Sequence, residues 1–191
     1  MHHDADKPRQ DVTTIEIVGG PEPVTVRLEP ADPGWAAVFE EHRRRILEAL
    51  PGSGADAPVV EHIGSTAVPG LAAKPIVDIV VAVADVTAEA TYLDQLLAAG
   101  YELRVREPGH RLVRTPARDV HVHVYERGAT AVDEYLLLRD HLRADADDRA
   151  LYERTKRELL DRSWDDMNAY AEAKTAVITA IKERARRSRA S

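Results

Sequence analysis

Asp78 is the single charge in an otherwise apolar run, Ile76-Val77-Asp78-Ile79-Val80-Val81. A carboxylate in such surroundings is costly unless it is paired, hydrogen-bonded or holding a metal. As a ligand it offers hard oxygen to Mg²⁺, with substrate phosphates completing the shell. As a structural residue it bonds backbone amides near a strand end. Upstream, Gly64-Ser65-Thr66 closes a short apolar strand. Glycine tolerates unusual φ, so Gly64 lets amides and the hydroxyls of Ser65 and Thr66 approach a phosphate. The same three residues also suit an ordinary turn or helix cap.

His121 and His123 alternate with Val120, Val122 and Val124. In a strand they share one face, roughly 7 Å apart. Such a pair ligates metal or takes a proton, or else packs and bonds a carbonyl. Four cations complete the set. Lys74 precedes Pro75, which biases it towards an extended backbone at the entrance to the Asp78 run; it reaches a phosphate or lies in an exposed loop. Arg139 edges a helical stripe with Val132, Tyr135 and Leu136. Lys156 lies between Tyr152 and Leu159, and Lys174 between Met167, Tyr170, Val177 and Ile181. Each alone can lay its stem on the core and its charge in water. Three helices each turning a cation inward suggest a shared anion, a triphosphate or Asp78 itself, with Asp140 as the competing partner of one of them.

The positioning elements follow from periodicity. Thr13–Val18 and Val24–Leu28 flank Gly19-Gly20-Pro21-Glu22-Pro23 as a hairpin. A helix runs from Asp32-Pro33 to about Leu50, with Trp35, Val38, Phe39, His42, Ile46 and Leu50 on one stripe. Pro51-Gly52-Ser53-Gly54 stops it. Val59–Ile63 is a short strand and Ile76–Val83 a longer one, apolar on both faces. Thr87–Ala99 reads as a helix closed by Gly100. Tyr101–Arg106, Arg111–Arg114 and Val120–Tyr125 read as strands. Helices are predicted over 132–143, 147–162 and 165–187. This order predicts an α+β fold, a sheet covered by a C-terminal helical bundle. Residues 1–12 and 188–191 read as tails, and 13–187 as one domain.

Composition narrows the function. The chain has 191 residues, enough for one domain with a real core, and a formal net charge of -7. That charge disfavours an extended nucleic acid as partner. There is no cysteine, which removes disulfides, thiolate metal sites and cysteine nucleophiles and fits a reducing cytoplasm. No apolar run approaches the roughly 18 residues that span a bilayer, and the start is polar, unlike a signal peptide. His2-His3 offers a weak metal pair in the N-terminal tail, and the cationic stretch 182–189 reads as a solvated helix end.

The long run Glu61-His62-Ile63-Gly64-Ser65-Thr66-Ala67-Val68-Pro69-Gly70-Leu71-Ala72-Ala73-Lys74-Pro75-Ile76-Val77-Asp78-Ile79 resembles the GrpB family, a branch of the DNA polymerase β-like nucleotidyltransferase superfamily. His121-Val122-His123-Val124, Leu138-Arg139-Asp140-His141-Leu142-Arg143 and Tyr170-Ala171-Glu172-Ala173-Lys174 follow in the family's order, and Pro33-Gly34-Trp35 fits upstream. The resemblance covers about residues 24 to 185. It implies a nucleotidyltransferase-like mixed sheet with flanking helices, and a relative of this domain fused to dephospho-CoA kinase. It also implies Gly-Ser on nucleotide phosphates and an Asp-x-Asp pair, with a third acid, on two Mg²⁺.

Gly64-Ser65 and Asp78 match that pattern. The second acid is replaced by Val80, and His121 and His123 stand where the third is expected. The resulting expectation is a Mg²⁺-dependent enzyme acting on an NTP and a small-molecule acceptor. A carboxylate activated by adenylylation is one variant. Gly64, Ser65, Thr66, Lys74, Arg139, Lys156 and Lys174 would bind phosphate. Asp78 would hold metal, with His121 or His123 as ligand or base. The alternative is a module that binds a nucleotide or coenzyme A-like ligand without transfer.

Overall fold

The computed structural model describes residues 10–20, 22, 27–50, 52, 57–160 and 172–190. Six strands form one sheet: β1 (Glu16–Ile17), β2 (Val59–Ile63), β3 (Val77–Val83), β4 (Glu102–Glu107), β5 (His110–Arg114) and β6 (Val120–Glu126). Their spatial order is β1-β4-β5-β6-β3-β2. Every neighbouring pair is antiparallel except β3 and β6, which run parallel and pair Asp78 with His121 and Val80 with His123. The parallel pair brings two residue groups more than forty positions apart onto one face at one end of the sheet.

Five α-helices are described: α1 (Gly34–Ala49), α2 (Leu93–Ala98), α3 (Thr130–Ala144), α4 (Ala146–Leu160) and α5 (Thr175–Ala190). α1 and α2 cover one face. Trp35, Ile46, Leu93 and Leu96 pack there on Val77, Ile79, Val81, Val120, Val122 and Val124. On the other face Val80, with no exposure at all, packs with Ile63 and Val132. Val68 and Leu71 pack against Leu142, Tyr152 and Ile181 of α3, α4 and α5. β3 is therefore covered on both sides, which explains its near-continuous apolar sequence.

β1 pairs with β4, and most of the strand expected over Val24–Leu28 lies outside the described residues. Arg104 and Arg106 fasten β1, donating to Val18 O and to the Glu16 carboxylate. Glu29 instead exchanges backbone hydrogen bonds with Ala73, at 2.8 and 3.0 Å. The helix predicted over Thr87–Ala99 divides into a 3₁₀ turn, Glu89–Thr91, and α2. Tyr92 leaves the helical conformation at φ -146, its ring buried and its hydroxyl bonded to Val86 O at 2.6 Å. The helix predicted over 165–187 is not continuous: a turn at Ala173–Lys174 precedes α5. Trp164, Met167 and Tyr170 lie outside the described residues, as do Pro51, Ser53 and Gly54.

Asp11 is tied to the sheet, accepting from Gly109 N at 2.6 Å and from Arg111 at 2.7 Å. Among the described residues no helix is long and apolar enough to cross a membrane.

Candidate functional site

A cleft of about 410 Å³ opens between the sheet and helices α3, α4 and α5. Its polar wall carries Gly64, Ser65, Asp78, His123, Arg139 and Lys174. Its apolar wall is Ile63, Leu138, Leu142 and Ile178, with the rings of Tyr135 and Tyr152.

Gly64 sits at φ +72, and a Cβ there would lie 2.7 Å from Asp78 Oδ2. Only glycine allows the loop after β2 to close over the carboxylate. Ser65 begins a 3₁₀ turn, Ser65–Ala67. Thr66 is buried and bonds His62 Nε2 at 3.0 Å beneath the loop; it does not line the cleft. His62 stacks on Phe39 at 4.8 Å. Burial first, and then the charge of Arg143, hold His62 down to about 4, so it is neutral at pH 7.

Asp78, second residue of β3, is joined by both histidines. His123 Nε2 lies 3.5 Å and His121 Nδ1 3.8 Å from its Oδ1. One ligand atom from each of the three falls within 4.8 Å of the others. Burial acts to raise the Asp78 carboxyl, but His123, His121 and Lys74 outweigh it and hold the group below the usual range. His121 is pushed down to about 4, chiefly by burial.

A partner that strand periodicity does not reveal stands behind His123. His110 Nε2 lies 3.1 Å from His123 Nδ1, and His110 Nδ1 lies 2.5 Å from Glu107 Oε1. The His110 ring is stacked between His123 and Tyr125. The antiparallel pairing of His110 with Tyr125 produces this neighbourhood. The Pro108-Gly109 turn sets the register of β4 on β5, but the contact with His123 depends on the register of β5 on β6, across residues 115–119.

The cations divide. Lys174 lines the cleft and is lowered to about 8 by burial and by repulsion from Lys74, with Asp78 acting the other way. Lys74 is lowered by burial and likewise supported by Asp78. Arg139 reaches the cleft wall but is engaged by Glu61 at 2.7 Å, His62 O at 3.0 Å and Asp140 at 2.8 Å. Lys156, 2 % exposed, donates to Ser65 Oγ at 3.1 Å and to Ala72 O from behind the loop, over the Tyr152 ring. Burial and the charge of Lys174 lower it to about 7. The three helix cations thus do not meet on one anion. Lys174 faces the cleft with Asp78, Arg139 holds α3 to β2, and Lys156 fastens the Gly64-Ser65 loop.

A second acidic grouping, His141, Asp145 and Asp148, is closed by Arg184 of α5, which donates to both oxygens of Asp148. It is an ion-pair lock between helices.

The second acid position of an Asp-x-Asp pair is filled by Val80, sealed between sheet and α3. The sheet and its flanking helices have a nucleotidyltransferase-like fold. The fold is shared with the Cid1 poly(U) polymerase, solved with MgGTP bound, at TM-score 0.50 and 14% identity over 71% of this chain and 45% of that one. The solved GrpB protein from Enterococcus faecalis matches at TM-score 0.73 and 29% identity, over 86% of this chain and 100% of that one. A UPF0157 protein of Streptomyces coelicolor is 69% identical over 185 residues, 97% of each chain. The family described as GrpB protein matches residues 25–184, and the chain belongs to it.

Proposed function

We propose that the cleft binds a nucleoside triphosphate and that the protein is a nucleotidyltransferase-like enzyme passing the nucleotidyl group to a small-molecule acceptor. An acceptor carboxylate, adenylylated for ligation, is one form of that reaction. The observation carrying the reading is Gly64-Ser65 folded directly over Asp78 at the polar end of the cleft. The protein's own residues supply charge and exclusion of water. Lys174 and Lys74 lie close enough to Asp78 to shift its charge balance, so an arriving phosphate meets two cations. The apolar wall lowers the local dielectric and strengthens those attractions. The tyrosine rings offer a face for a base or another flat group.

Mg²⁺, which the fold implies, does not fit the three side chains offered here. It takes an octahedron of oxygens, and Asp78 is the one oxygen donor of the group. No step is assigned to it. The burial of Val80 favours a second reading, binding without transfer, because the position of a second metal carboxylate is occupied by core.

Thermal shift with ATP, CTP, GTP, UTP and dephospho-CoA, each in EDTA and with Mg²⁺, tests the binding. A shift abolished by Lys174→Met supports the reading; no shift with any of the five sinks both readings. Pyrophosphate release with a panel of carboxylate, hydroxyl and amine acceptors separates transfer from binding alone.

A further inference from the structure

The geometry points to a different occupant of the Asp78 centre: a first-row transition-metal ion such as Zn²⁺ or Fe²⁺, bound by Asp78, His121 and His123, with His110 and Glu107 as positioning residues. The inference takes the same cleft and rests on the nucleotide reading for the site's use, not for its existence.

The hydrogen-bond chain decides which atom of His123 faces the cleft. A carboxylate only accepts, so the 2.5 Å contact with Glu107 places the hydrogen on His110 Nδ1. His110 Nε2 in turn is the partner of His123 Nδ1 at 3.1 Å, which leaves Nε2 as the cleft-facing atom of His123, 3.5 Å from Asp78 Oδ1. His121 brings a third donor to the same oxygen at 3.8 Å. Ligands of a tetrahedral ion bonded at about 2.1 Å stand roughly 3.4 Å apart, so the separations match a shared ion.

The chemistry of the donors selects its class. Two imidazoles and one carboxylate suit Zn²⁺ and Fe²⁺, whereas Mg²⁺ and Ca²⁺ want oxygen shells. A ligating imidazole characteristically donates its other N–H to an outer acceptor that fixes the ring, and His110 backed by Glu107 is that acceptor for His123. Gly64 and the Tyr135 ring close the site from above and beside. The competing occupant is a proton on His123 Nε2.

The test uses the full chain carrying His2→Ala and His3→Ala, which removes the competing pair. Co²⁺ is titrated in nucleotide-free buffer and followed by its visible d–d bands. Saturable bands, displaced by Zn²⁺ but not by a hundredfold excess of Mg²⁺, are expected. His121→Ala and His123→Ala are expected to lose the bands. His110→Gln and Glu107→Gln are expected to weaken Co²⁺ binding about 10- to 100-fold while keeping the circular dichroism of the parent. No bands, bands that survive both histidine substitutions, or displacement by equimolar Mg²⁺ overturns the inference. The Mg²⁺ competition needs no substitution in the site, so a variant that fails to fold leaves the question decidable. A nucleotide shift that persists in EDTA without any Co²⁺ bands sinks the metal and keeps the nucleotide; bands without a nucleotide shift do the reverse.

Discussion

Gly64 and Asp78 occupy one space: a β-carbon on Gly64 would stand 2.7 Å from Asp78 Oδ2. The loop after β2 and the carboxylate on β3 are therefore a single device. Neither can change without moving the other.

Gly64→Ala is expected to fail on two counts. The positive φ costs an alanine about 1–2 kcal/mol, and the new methyl pushes Asp78 from its place beside His123. Calorimetry should find the unfolding midpoint lowered by roughly 4–8 °C, taking about 2 kcal/mol in all. Any nucleotide-induced shift should vanish. An unchanged midpoint with an unchanged shift contradicts the fit.

Val80→Asp supplies the second acid of an Asp-x-Asp pair. In this fold it places a carboxylate among Ile63, Val132 and Leu136, with the like charge of Glu61 as one register partner and His123 as the other. Destabilisation of about 3 kcal/mol or more is expected, and no gain of Mg²⁺ binding. Chemical denaturation measures the first and a Mg²⁺ titration the second. A stable variant that binds Mg²⁺ would show that the core yields to the acid.

His62 gives the fold an acid limb. Its native value is about 4 and its unfolded value about 6.5, because burial penalises the imidazolium. Between those limits the unfolded chain takes up a proton that the native chain refuses. The contribution of His62 is therefore flat above pH 6.5 and falls as pH drops towards 4. The loss from this group reaches about 3 kcal/mol at most. His62→Gln should flatten the fall in urea midpoint across that window, while His42, His110 and His121, lowered in the same direction, keep part of it.

Lys156 acts on the alkaline side. Buried and lowered to about 7, it is more protonated in the unfolded chain between pH 7 and about 10, so wild-type stability should rise with pH over that range. Lys156→Met keeps the stem, removes the charge and releases Ser65 and Ala72. The rise should shrink, Lys174 and Lys74, lowered in the same direction, keeping part of it, and hydrogen exchange at residues 64–72 should quicken. A variant whose stability climbs as steeply as the parent's from pH 7 to 10 rules out Lys156 as a source.

Much of the fold was legible because local chemistry fixes it. The α1 stripe, the double-sided apolar β3, the alternation of β6 and the Gly-Ser strand end all depend on residues close in sequence. The candidate residues on strands were legible for the same reason: Asp78 is conspicuous among aliphatic neighbours, and His121 and His123 must share a face. A helical period does not by itself exclude a break within it. Tyr92 interrupts the helix after Thr87 because a buried hydroxyl bond outweighs propensity, and the turn at Ala173–Lys174 breaks the last stretch.

The sequence by itself determined the family, the α+β sheet with its helical cover, and the absence of a second acid beside Asp78. Only the tertiary structure decided how the charges are used. Pairing β3 parallel to β6 set Asp78 against His121 and His123, and the β5–β6 register added His110 and Glu107. The helix cations were parted, Lys174 to the cleft, Arg139 to Glu61 and Lys156 to Ser65. Periodicity reports which face a side chain takes, but a charge is claimed by whichever partner the fold brings within about 3 Å, and those partners lie 78 to 91 residues away for Arg139 and Lys156.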